Sequence, residues 1–187
     1  IGINYAREKG FTHFLHMDCD EYYDSKQFAQ AKAYIDYESI DGSVCKIQTY
    51  YKRPTLKFSG LDDYYVPFIH KIAIGTRCGL KHADPYPFYA DPTRRIHPHR
   101  NIIELQEGRI IMHHFSYIRK DIEKKLRNST AKVNFNIPEI LKQYEAAEAG
   151  TVVAHYNNMR LVETENRFNI NLEDEGNGKK KQEQIRI

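Results

Sequence analysis

Tryptophan is missing altogether and cysteine is scarce. The three cysteines, Cys19, Cys45 and Cys78, are odd in number and far apart. That spacing excludes a disulfide framework and a zinc ribbon, and makes a reducing, cytoplasmic setting the expectation. No apolar run approaches the roughly 20 residues of a membrane-spanning helix, so no span is expected. Excess positive charge is scarce as well. The net charge is +3, and the tail Lys179-Lys180-Lys181 supplies all of it. Nucleic-acid binding needs a concentrated basic face, so no nucleic-acid partner is expected.

What is present points to one soluble α/β domain. A chain of 187 residues suffices for a single core. Tyrosine is abundant, with 14 copies, and offers flat faces and hydroxyls that suit a polar, ring-shaped ligand as well as ordinary half-buried strand positions. The first residue is Ile1, and the run to Gly10 reads as a helix already under way with Gly10 as its C-cap. The chain is therefore expected to be a fragment that lacks an N-terminal part.

After Gly10 the run Thr12-His13-Phe14-Leu15-His16-Met17 reads as a short strand, ending in Asp18-Cys19-Asp20-Glu21. Asp24-Ser25-Lys26-Gln27 has the form of a capping box, and Phe28, Ala31 and Ile35 follow at helical spacing. Residues 43–51 and 64–74 read as strands, with Pro67 at an edge or near a start. Residues 82–100 are rich in His, Asp, Pro and Arg, which predicts a polar binding loop. A strand over 109–117 carries His113 and His114. Helices are predicted over 119–131, with Ile118, Ile122 and Leu126 on one side, and from Pro138 to Glu148. A last strand is expected within 162–170, then a polar, disordered tail over 173–187.

Asp18 and Asp20 stand two apart where a strand ends, so both carboxylates point to one side and Cys19 to the other. Ligands of α/β proteins gather at such strand ends. Two close carboxylates repel unless a positive group lies between them. A hard divalent cation, Mn²⁺ or Mg²⁺, meets that need and can hold a diphosphate. The alternative is a solvated acidic turn that caps the next helix.

In the order helix, strand and Asp18-Cys19-Asp20-Glu21, the chain resembles the GT-A-fold nucleotide-diphospho-sugar glycosyltransferases of the family-2-like type. The resemblance implies a partial GT-A, Rossmann-like domain over residues 1–172: an α/β fold with a mixed central sheet flanked by helices. It implies transfer of a sugar from a nucleotide-diphosphate donor to a hydroxyl or glycan acceptor, with inversion. Carried over, Asp18 and Asp20 hold metal and donor, and His114 or His113 is the late metal ligand. The units that grip the nucleotide base would precede Ile1, so donor binding by this chain alone is expected to be weak. A Gln-x-x-Arg-Trp string is impossible without tryptophan, which argues against a processive synthase.

Neighbours on a strand face opposite ways, so one histidine at most faces an ion. His114 is favoured for its polar face-mate Ser116. Arg119, Lys120 and Lys124 suit the charge left on a departing diphosphate, with Arg119 nearest the strand end. In Asp91-Pro92-Thr93-Arg94-Arg95, Asp91 is a candidate base, while Arg94 or Arg95 would bind phosphate or hold Asp91. Asp62 and Asp63 are rival bases. Two other functions use overlapping features. A metal-dependent nucleotidyl or phosphoryl transferase would use the same carboxylates, and a non-catalytic carbohydrate-binding module would use the tyrosines.

Overall fold

The structure, a computed structural model, describes residues 2–79, 86–98, 101–129 and 132–171. The elements in chain order are α1 (Gly2–Glu8), β1 (His13–Leu15), β2 (Glu21–Tyr22), α2 (Ser25–Tyr37), β3 (Gly42–Tyr51), β4 (Arg53–Phe58), β5 (Tyr65–Lys71), β6 (Arg77–Cys78), β7 (Ile96–His97), β8 (Ile102–Glu104), β9 (Ile111–Tyr117), α3 (Ile122–Asn128), α4 (Ile137–Ala146), β10 (Val152–Val153) and β11 (Met159–Glu163).

Local chemistry sets the helix ends. Gly10 takes φ +77°, its N–H donates to the Arg7 carbonyl, and the Phe11 N–H donates to the Ala6 carbonyl. This doubly bonded C-terminus needs the left-handed conformation that glycine adopts without a Cβ penalty. Asp24 caps α2 by accepting from the Lys26 and Gln27 N–H groups, both at 3.0 Å. The reciprocal half of the expected capping box is absent, because the Gln27 Oε1 is buried without a hydrogen-bond partner.

Nine strands join one sheet with β3 at its centre. One edge of β3 carries β5 on its first half and β4 on its second, both antiparallel. The other edge carries β8 and β9 in turn, both parallel. Among the described residues every other ladder is antiparallel. The expected mixed α/β sheet is present, but antiparallel pairing dominates it, unlike a Rossmann-like sheet. The physical reason is connection length. A parallel crossover needs a dozen or more residues, whereas β3 turns into β4 through Lys52 alone, at φ +65°. Lys52 fastens that turn by donating from Nζ to the Glu145 and Ala147 carbonyls at the end of α4. Pro67 lies opposite Val44, beyond the residues of β5 that β1 pairs.

Six short strands were not anticipated: β2, β4, β6, β7, β8 and β10. β7 lies inside the stretch 82–100 that read as an unbroken polar loop, and pairs with β6, which precedes that stretch. The last strand ends at Glu163 instead of reaching Ile170. Of the features assigned from sequence, His82, Asp84, Pro85, His99, Arg100 and the 173–187 tail lie outside the described residues, while the helix expected over 119–131 is shorter, from Ile122 to Asn128 with Ser129 extended as its C-cap.

The packing positions the site. Cys45 and Ile47 join Ala31 and Ile35 of α2 in one buried cluster, with Val66, Phe68 and Met112. Tyr51 joins Leu126 of α3, Ile140 and Tyr144 of α4, Phe58 and Leu161 in a second. Each large apolar side chain so buried contributes about 1.5–3 kcal/mol. Alternation along β3 puts Thr49 on the face of Ile47 and Tyr51, so a polar residue stands where one cluster gives way to the other. A third, smaller cluster on the other face joins Tyr50, Phe115 and Ile118, with Phe168 and Ile170 packed on it.

Candidate functional site

The acidic turn is stitched to the histidine strand. β2 pairs with β9 so that Glu21 lies opposite His114 and Tyr22 opposite His113. The Phe115 N–H donates to the Asp20 carbonyl at 2.9 Å. This brings Asp20 Oδ1 to 3.9 Å from His114 Nε2.

The two histidines have different surroundings. His113 faces the third cluster. Its Nδ1 lies 3.0 Å from the Tyr50 hydroxyl, and its ring packs edge-on against Phe168. Burial, aided by Arg167 and Lys57, pushes its pKa down to about 4. His114 faces the acidic turn. Burial lowers its pKa too, against the pull of Asp20 and Glu21. A neutral imidazole beside a carboxylate is a competent metal donor.

Arg94 is the hub of the acidic turn. It is 6% exposed, and Glu21 is 1% exposed. Arg94 Nη2 donates to Asp18 Oδ2 at 2.7 Å, Nη1 donates to Glu21 Oε2 at 2.7 Å, and Nε lies 3.3 Å from Asp91 Oδ2. Burial works against the charge on Arg94, but Glu21, Asp18 and Asp91 outweigh it and raise its pKa. Of the two roles open to Arg94 in the sequence, it takes that of holding Asp91, and the role of phosphate ligand is corrected, since its donors are directed at three carboxylates of the protein. Asp91 is also committed. Its Oδ1 accepts from the Thr93 N–H and hydroxyl, at 2.9 and 2.7 Å, in a local turn. Arg95 donates to the Ala90 carbonyl.

Arg119 completes the other side. Its Nη2 donates to Asp20 Oδ2 at 2.5 Å and its Nε to the Ser116 carbonyl at 3.2 Å. Beside it opens a cleft of about 980 Å³. The chain leading into α3, and α3 itself, line it with Arg119, Lys120, Lys124 and Lys125. The acidic turn contributes Cys19 and Asp20, while Tyr22, Phe115, Ile118 and Phe168 give it an apolar surface.

Of the rival acids, Asp63 is exposed and Asp62 is 3% exposed. The Asp62 carboxyl accepts from the Tyr156 hydroxyl at 2.7 Å and from the Thr49 hydroxyl at 3.2 Å. Burial raises its pKa to about 6, against those two bonds. Thr49 is the register neighbour of His114, so this network adjoins the histidine face of the site. None of Asp62, Asp63 and Asp91 lines the cleft.

The donor set fits a divalent ion in part. Among the described residues no group of three or more His, Cys, Asp or Glu side chains is placed to hold a metal. Asp20 and His114 do form a pair. Adjacent octahedral ligands at about 2.1 Å from one ion stand roughly 3.0 Å apart, and Asp20 Oδ1 and His114 Nε2, at 3.9 Å, would have to draw together to share an ion. Mg²⁺-type ions commonly take one or two protein ligands and fill the rest with phosphate oxygens and water.

Lys125, Tyr156 and Phe168 were missed in the sequence. Lys125 follows the buried Ile122 by three positions, on the flank of the apolar stripe, and that spacing was the available signal. Nothing local links Tyr156 to Asp62 or Phe168 to His113.

Fold and site together define a mixed α/β domain with an acidic turn opening on a basic, partly aromatic cleft. No known family, curated protein or solved structure matches the chain. No helix among the described residues is long and apolar enough to cross a membrane.

Proposed function

We infer that this domain transfers a sugar from a nucleotide-diphosphate donor to a hydroxyl acceptor, in a partial GT-A arrangement. The observation that supports this best is Asp20, set between His114 and Arg119 where the basic cleft opens. Asp20 and His114 would hold Mn²⁺ or Mg²⁺, which when bound neutralises diphosphate charge. Arg119, Lys120 and Lys124 then face the phosphate oxygens that gain charge as the glycosyl bond breaks. Fixed cations there stabilise the transition state more than the ground state. Tyr22 and Phe168 offer aromatic surface to a ring of donor or acceptor. Arg94 keeps Asp18 and Glu21 close together without mutual repulsion, and with Asp18 so paired and outside the cleft lining, the ligand role expected of both Asp18 and Asp20 falls to Asp20. Asp91 is tied to Thr93 and Arg94, and both Asp91 and Asp63 lie outside the cleft lining, so neither is assigned as the base for the attacking hydroxyl. Inversion follows from the family resemblance alone.

The test is Asp20→Asn in the full chain. The variant should fold, lose Mn²⁺-dependent binding of a nucleoside diphosphate, and lose release of free nucleoside diphosphate from a donor sugar. Release of pyrophosphate by the unaltered protein would identify a nucleotidyl transferase instead. Unchanged Mn²⁺ affinity in the variant would overturn the assignment of Asp20.

A further inference from the structure

Lys125 differs from the other cations of the cleft. Its Nζ lies 3.8 Å from the centroid of the Tyr117 ring. A ring face attracts an ammonium but does not neutralise it. None of the ion pairs among the described residues involves Lys125. The two acids of the cleft are already engaged. Asp20 accepts from Arg119, and Asp121 caps α3 by accepting from the Lys124 N–H at 2.8 Å. Lys120 and Lys124 are exposed to water, whereas Lys125 is partly buried. Burial, with Arg119 nearby and only partly offset by Asp20, lowers its pKa to about 8. A partly buried ammonium with no carboxylate paired to it carries a desolvation cost that an arriving anion relieves.

We propose that Lys125 forms an inner oxyanion subsite of this cleft, receiving a phosphate oxygen of a diphosphate. Its part in catalysis rests on the transfer reaction inferred above; its part in anion binding does not. In that reaction the bond from the sugar's anomeric carbon to the diphosphate oxygen breaks, and the electron pair stays on the oxygen. A bond forms from the acceptor oxygen to the same carbon, and the acceptor proton goes to a carboxylate. Lys125 keeps its protons and hydrogen-bonds the oxygen that has gained charge. Arg119 lowers and Asp20 raises its affinity for the proton; Tyr117 lies under it, His114 and His155 feel its charge, and Lys124 and Asp121 precede it in the chain.

The probe is inorganic pyrophosphate, titrated calorimetrically into the full chain without divalent metal. Lys125→Met should weaken binding about tenfold or more, as loss of a charge-assisted contact does. Lys125→Arg should keep affinity within about threefold, since the charge remains. Lys32→Met, on α2 away from this cleft, should change nothing. Wild-type affinity in Lys125→Met, or an equal loss in Lys32→Met, overturns the subsite. Should Lys125→Met fail to fold, the comparison of wild type with Lys125→Arg between pH 7 and 9.5 decides. Titration of the probe is common to both proteins, so only the lysine protein should lose relative affinity as pH rises, and parallel curves overturn the proposal. Nucleotide-sugar turnover and its dependence on Asp20 report separately on the transfer reaction. A loss of pyrophosphate binding in Lys125→Met with no turnover supports the subsite and sinks the transfer.

Discussion

Asp62→Asn exchanges a buried carboxyl for a neutral amide of nearly the same shape, between the Thr49 and Tyr156 hydroxyls. In the wild type, burial raises the pKa of Asp62 from 3.8 to about 6. The folded protein therefore holds this proton more tightly than the unfolded chain between about pH 4 and 6. The resulting stability is fully present below the unfolded pKa and is lost as pH rises through the folded one. A shift of roughly two units corresponds to about 3 kcal/mol. Asparagine does not titrate, so the variant should gain on the wild type by about that amount between pH 4 and pH 7.5. The amide can accept from one hydroxyl and donate to the other, so any pH-independent penalty should stay near 1 kcal/mol. Urea unfolding at closely spaced pH values, followed by tyrosine fluorescence, measures the difference directly. A stability difference that stays flat from pH 4 to 7.5 would refute the claim that Asp62 is held protonated by burial.

His113 should act with the opposite sign. Its pKa is pushed down to about 4, so its contribution is present above about pH 6.5 and lost as pH falls toward 4. His113→Gln should remove up to about 3 kcal/mol of acid sensitivity in that window, and an unaltered acid limb in the same urea series would exclude it. Arg94→Met should cost about 3–5 kcal/mol at neutral pH by stranding the buried Glu21 beside Asp18 and Asp91; a loss below about 1 kcal/mol would mean that those acids find other partners.

The sequence carried the local features well. Gly10 as a cap, Asp24 as an N-cap and the opposite facing of His113 and His114 all follow from short-range geometry. So did the strand over Ile111–Tyr117, whose apolar run resists other readings. The features it concealed depend on distant residues. β4 failed to register because it is short and opens on Arg53-Pro54, although Leu56 and Phe58 alternate with Thr55 and Lys57 and are fully buried there. Arg94 read as a ligand-binding arginine because nothing within 70 residues before it reveals Glu21 and Asp18. That Arg94 would hold Asp91 was one of the alternatives open in the sequence, and the structure has that pair at 3.3 Å. The mixed sheet that the resemblance implied is present, but with more antiparallel pairing than a Rossmann-like arrangement has. The single-residue turn at Lys52 contributes to that, and its left-handed conformation at a lysine is invisible to pattern reading.

The acidic turn is neutralised from far along the chain. Asp18 meets Arg94 across 76 positions, and Asp20 meets Arg119 across 99. Until both arginines arrive, three carboxylates within four positions repel one another. Their site is therefore among the last parts of the fold to become electrostatically settled, however early β1 and α2 form. A polypeptide released before Arg119 would contain every acid of the turn and still lack the arginine that holds Asp20. During synthesis, affinity for a diphosphate should appear only once the chain has passed α3, so the binding site comes into being with the cleft that surrounds it.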